Sequence, residues 1–178
     1  ADPFPYLIIK DFFKKDFYEE LKKEFPKKEE FVKQKENVGR MHYDTTFGHS
    51  LYQDVINKSK AYKELHNYIY SKEFVKTFLN LFNSEIENEI DNNFLNVDVK
   101  KLDINDKPFE VGKIFTKENL KKKQDSFLFP RLDIGFGEVG YGIKTGGKGI
   151  HVDNPQRLIS ILLYVGGFSK IKGGEHRL

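Results

Sequence analysis

The chain has no cysteine. Disulfides and thiolate metal sites are therefore excluded, and any bound metal must be held by histidine, carboxylate or backbone oxygen. The same absence fits a reducing compartment, and the expected location is cytoplasmic. A long apolar run is also missing: nothing approaches the roughly 20 residues that a membrane-spanning helix needs. The first residues carry no signal-peptide pattern. Nor is there an excess of one charge. Thirty basic and 27 acidic side chains leave a net charge of +3, too balanced to point to nucleic acid. What remains is a chain of 178 residues, 38% hydrophobic and 32% charged, long enough for one globular domain with a core of its own.

The first half reads as helical. Residues 4–10 have the composition of a short strand. In residues 11–26, Phe13, Phe17, Leu21 and Phe25 recur at every fourth position and form one apolar stripe, which Pro26 ends. Residues 27–50 are polar and irregular and hold His42 and His49; they read as a surface loop or as a lid over a site. A helix is expected over residues 51–70, with Tyr62, Leu65, His66 and Ile69 inward and His66 a packed residue rather than a ligand. Ser71 precedes a second stripe, Phe74, Val75, Phe78 and Leu81, as the cap of another helix. Residues 84–91 extend the helical region.

At Phe94 the pattern changes to alternation. Strands are expected over residues 94–99, 109–115 and 127–136, with a turn over 103–106 and Pro130 marking an edge or bulge. Residues 117–125 carry four lysines and read as a solvated insertion. Gly142 to Lys148 has the spacing of a phosphate-binding loop up to its lysine, but Gly149 stands where a Mg2+-binding hydroxyl is required. A glycine-rich hairpin is the better reading of this stretch.

That hairpin leads into Gly149-Ile150-His151-Val152-Asp153-Asn154-Pro155. On a strand, side chains two residues apart share a face, so His151 and Asp153 would present an imidazole and a carboxylate together. Such a pair makes two thirds of a facial two-histidine, one-carboxylate site, which holds Fe(II) and leaves open positions. A nearly continuous apolar run follows over residues 157–165, as a buried strand requires. Gly173-Gly174-Glu175 then turns toward another strand.

This ordered series over residues 127–178 resembles the Fe(II)/2-oxoglutarate-dependent dioxygenases, most closely their prolyl-hydroxylase-like branch. The resemblance implies a mainly β chain with N-terminal helices: a double-stranded β-helix (jelly roll), incomplete at its C-terminal end. One oxygenase domain would span residues 1–178, with the supporting strand and helices in 1–92 and the jelly-roll core in 93–178. It implies His151 and Asp153 as iron ligands, and 2-oxoglutarate and O2 as co-substrates, and it admits ascorbate. The reaction implied is hydroxylation of a prolyl or other amino-acid residue, or of a small molecule. Tyr141, ten residues before His151, matches a position at the 2-oxoglutarate and metal pocket; a hairpin tyrosine packed on the sheet is the other reading. Tyr164 matches a contact to the far carboxylate of 2-oxoglutarate, with a core tyrosine as the alternative. Arg157 matches a substrate-facing position, with a surface charge as the alternative. In the family a second, distant histidine and a basic partner for 2-oxoglutarate complete the site. His176 and Arg177 stand too early for those roles, so both partners are expected beyond Leu178.

Two other functions fit parts of the pattern: a non-catalytic jelly-roll binding module, or a cupin-like metal enzyme that does not use 2-oxoglutarate. A nucleic-acid-binding domain resting on Lys121, Lys122 and Lys123 is the weakest fit.

Overall fold

The computed structural model describes residues 5–32, 43–91, 98–105, 127–136 and 158–166. The chain divides into two compact units, one formed by Ala1–Thr45 with Ile134–Leu178 and the other by Thr46–Asp133.

In the first unit the chain runs extended and exposed over residues 5–9 and turns at Asp11, whose φ of 52° is left-handed. Aspartate tolerates that conformation better than most residues. The turn delays the expected helix: α1 spans Lys15–Lys23 rather than starting at residue 11. Asp16 in its first turn and Lys22 and Lys23 in its last complement the helix dipole. Leu21 is fully buried, and the Phe13 and Phe17 rings meet edge to face at 5.5 Å. Helix α2, Lys28–Val32, is a single turn. The Glu30 carboxylate accepts from the Lys27 backbone N–H at 2.7 Å, as in a capping box. Phe31 is buried with its ring 6.1 Å from that of Phe25. Strand β1, Tyr43–Thr46, pairs with β4, Asp133–Phe136, and only their terminal residues Thr46 and Asp133 fall outside this unit.

The described residues of the second unit form four α-helices. Helix α3, Ser50–Lys58, buries Leu51, Tyr52 and Val55. Helix α4, Lys60–Ile69, buries Ala61, Tyr62, Leu65 and Ile69. The expected single helix over 51–70 is thus two. Ser59 breaks it with an extended backbone, and its hydroxyl accepts from the Tyr62 N–H at 3.0 Å to cap α4. Ser71 caps α5, Lys72–Leu81, as its sequence suggests: its Oγ accepts from the Phe74 N–H at 3.1 Å and donates to the Tyr68 carbonyl at 2.7 Å. Phe74 and Phe78 are buried with their rings 4.7 Å apart. Helix α6, Asn83–Asp91, buries Ile86. A 3-10 turn at Val99–Lys101 follows, held by the Asp98 side chain accepting from the Lys100 N–H. Strand β2, Asp103–Ile104, then pairs in parallel with β3, Phe127–Leu128. The turn expected over 103–106 is therefore in part a strand.

These elements overturn the expected mainly β jelly roll. More than half of the described residues are helical. Among the described residues the sheets are two separate pairs, and their strands are two to four residues long. Two local reasons account for the shortfall. The strand expected over 127–136 is cut in the middle, where Pro130 has no N–H to give to a ladder. Of the buried strand expected over residues 157–165, the described residues 158–165 form no strand. Ile161, Leu162 and Tyr164 there are 38%, 64% and 47% exposed. Helices, by contrast, close their hydrogen bonds within themselves and need only one apolar stripe to dock. Among the described residues no helix is long and apolar enough to cross a membrane.

Candidate functional site

Of the five residues singled out from the sequence, His151, Asp153, Tyr141 and Arg157 lie outside the described residues, as do His42, His176 and Arg177. Tyr164 belongs to the first unit, on the stretch 158–166, where it is exposed and its neighbours Leu163 and Val165 are half-buried. Its phenol is raised above the ordinary tyrosine range by partial burial, so it stays protonated at neutral pH and can donate a hydrogen bond to a carboxylate. The end of this stretch is anchored to α1: the Gly166 N–H donates to Tyr18 Oη at 3.2 Å, and the Tyr18 hydroxyl lies 3.3 Å from the Gly166 carbonyl as a donor. Tyr164 is therefore two residues from a fixed point.

The donor chemistry of His151 and Asp153, one borderline nitrogen and one hard oxygen ligand, suits Fe(II) or another divalent first-row metal. Among the described residues no group of three His, Asp or Glu side chains is placed to hold a metal ion.

The most organised polar arrangement described lies in the second unit. Helix α3 carries Tyr52 inward, and α4 carries His66, with Tyr70 at its C-cap one turn later. Tyr52 Oη and His66 Nδ1 are 2.8 Å apart. Burial, reinforced by the Tyr70 phenol and by Asp133, pushes the Tyr52 hydroxyl far above its usual range. The phenol therefore keeps its proton at neutral pH, and the imidazole tautomer sets which of Tyr52 Oη and His66 Nδ1 donates. Burial holds the His66 pKa down, in keeping with a neutral ring. Tyr70 accepts from the Leu132 backbone N–H at 3.3 Å, and burial raises its own phenol. The rings enclose the histidine: Phe47 stacks at 6.4 Å, Tyr52 approaches edge to face at 5.8 Å and Tyr70 tilts against it at 4.6 Å. Nearby, Arg131 Nε donates to Asp133 at 2.8 Å.

The sequence places His66 correctly as a packed helix residue. It does not reveal Tyr52 as its partner. The i, i+4 spacing of His66 and Tyr70 is the one visible signal, since it sets both on one helix face; the Tyr52 contact depends on how α3 and α4 fold back at Ser59. Chemically the cluster is a buried polar contact that fixes helix packing, with each hydroxyl satisfied. No family model, curated protein or solved structure matches the chain.

Proposed function

We propose that the chain is an Fe(II)- and 2-oxoglutarate-dependent oxygenase that hydroxylates a prolyl or other amino-acid residue, or a small molecule. One observation carries the reading: His151-Val152-Asp153-Asn154-Pro155, which sets an imidazole and a carboxylate two residues apart between a glycine-rich stretch and an apolar run. The proposal rests on this local donor pattern and not on overall topology. When bound, the metal and its co-substrate supply O2 activation, which no amino-acid side chain provides alone. His151 and Asp153 hold the metal. Tyr164 would donate a hydrogen bond from its phenol to the far carboxylate of 2-oxoglutarate, and Tyr141 would line the same pocket. Arg157 orients substrate through its guanidinium.

The test is anaerobic titration of the full chain with Fe(II) followed by 2-oxoglutarate, with retained iron measured alongside the visible absorption of the chelate. Retained iron and a new band are expected for the native chain, and loss of both for His151→Ala and Asp153→Ala. A chain that retains no iron overturns the proposal. Retained iron without a band favours a metal enzyme that does not use 2-oxoglutarate. Absence of metal binding by a well-folded chain would support a non-catalytic binding module instead.

A further inference from the structure

On the second unit, helices α5 and α6 and residues 99–104 enclose a groove of about 410 Å³. Its lining is sharply divided. Leu79, Ile86, Val99, Leu102 and Ile104 are buried or half-buried and form an apolar floor. Exposed Lys72, Lys76 and Lys100 stand on the rim, where Asp103 is the sole carboxylate. Lys72 and Lys76 are one turn apart on the same face of α5, a like-charge i, i+4 pair that costs the helix a few tenths of a kcal/mol. Among the described residues neither has a carboxylate within ion-pair distance. Elsewhere on the surface Lys22 pairs with Glu19, Lys58 with Asp54 and Lys101 with Asp98. Lys100 pairs with Glu87, which leaves the two lysines of α5 as the uncompensated charge of the rim.

We propose that this groove docks an acidic peptide segment that seats apolar side chains on the floor while its carboxylates meet Lys72 and Lys76. Charge complementarity selects the occupant. A neutral apolar peptide leaves the two ammonium groups unmatched, and a small anion leaves the floor uncovered. A helix or extended segment with leucines between glutamates satisfies both. The volume accommodates a few side chains rather than a folded domain.

The experiment is fluorescence anisotropy with the full chain and a short fluorescein-labelled peptide of glutamates and leucines, at low and at physiological salt. Saturable binding that weakens with salt is expected. The double variant Lys72→Glu/Lys76→Glu is expected to weaken binding at least about tenfold with an unchanged thermal midpoint, since both side chains are exposed. Leu79→Ser is expected to weaken binding without altering its salt dependence. No binding of the probe at low salt overturns the proposal, as does unchanged binding by the double variant. Equal binding of an all-glutamate peptide reduces the groove to a general basic surface and also overturns it. So does displacement of the probe by pyrophosphate, which would mark a small-anion site instead.

Discussion

Helix α4 and the stretch 158–166 are both rich in large apolar side chains, and the chain treats them in opposite ways. In α4, Leu65 and Ile69 are 4% and 5% exposed. In the stretch, Leu162 is 64% exposed. The difference lies in the backbone. A helix satisfies its N–H and carbonyl groups within one segment, so an amphipathic stripe is enough to place its apolar face. A strand satisfies them only against a neighbouring strand, and residues 158–166 are in no strand. Residues 6–9 repeat the lesson: Tyr6, Leu7, Ile8 and Ile9 are 44–72% exposed despite a strand-like composition. Apolar content thus marks a segment that needs burial, while pairing decides whether burial happens.

The sharpest way to break this comparison is to truncate one leucine in each region. Leu65→Ala removes a buried side chain and is expected to cost about 2–5 kcal/mol of stability. Leu162→Ala removes an exposed one and is expected to stay within about 0.5 kcal/mol. Denaturant unfolding of both variants measures the contrast. Equal, large losses would mean that 158–166 is buried in solution as firmly as α4.

The next effect tests what fixes α3 against α4. Tyr52→Phe leaves His66 Nδ1 without its hydrogen-bond partner in a part-buried setting and is expected to cost about 1–3 kcal/mol. The same site has a pH signature. Burial holds His66 below its ordinary value of 6.5 in the folded chain, so the unfolded chain takes up this proton first. The His66 contribution is therefore full above pH 6.5 and is lost as pH falls from there toward the lower folded-state value. His66→Phe is expected to flatten the stability profile in that window. A slope identical to that of the native chain would assign the acid sensitivity to another group.

Capping is the third way to sharpen the contrast, since the helices are held by hydrogen bonds local in sequence, whereas Gly166 of 158–166 bonds to distant Tyr18. Ser71→Ala deletes the oxygen that accepts from the Phe74 N–H and is expected to lower stability by about 1 kcal/mol. Ser71→Asp, which keeps an acceptor at the cap, is expected to recover most of it. Failure of aspartate to rescue would mean that the donor bond to the Tyr68 carbonyl matters more than the cap.

The same contrast explains what was legible in the sequence. Every fourth-residue stripe became a helix, and Ser71 was identifiable as a cap, because periodicity and capping are local properties. The break at Ser59 was not legible: Lys60, Ala61 and Tyr62 continue a helical pattern, and only the serine's hydrogen bond to Tyr62 ends one helix and begins the next. The jelly roll was over-read from alternation and apolar runs, which specify strands only once partners are in place. Of the site, Tyr164 is exposed where a pocket or core residue was expected. His151, Asp153, Tyr141 and Arg157 lie outside the described residues, so the donor pattern stands on sequence alone. The Tyr52–His66 contact is a long-range product of packing, and no spacing rule announces it.

The smallest effect concerns Gly166, where the exposed stretch meets α1. A Cβ added there finds nothing within 4 Å, and its φ is not in the left-handed range. Its two contacts to Tyr18 use backbone atoms, which alanine retains. Gly166→Ala is therefore expected to be neutral or to stabilise by up to about 1 kcal/mol, through a less free unfolded chain. Tyr18→Phe removes the hydroxyl and both contacts while leaving the ring on α1, and is expected to cost about 1 kcal/mol. If alanine destabilises as much as the loss of the hydroxyl does, the stretch needs a glycine conformation at residue 166, and its attachment to α1 is tighter than the backbone contacts indicate.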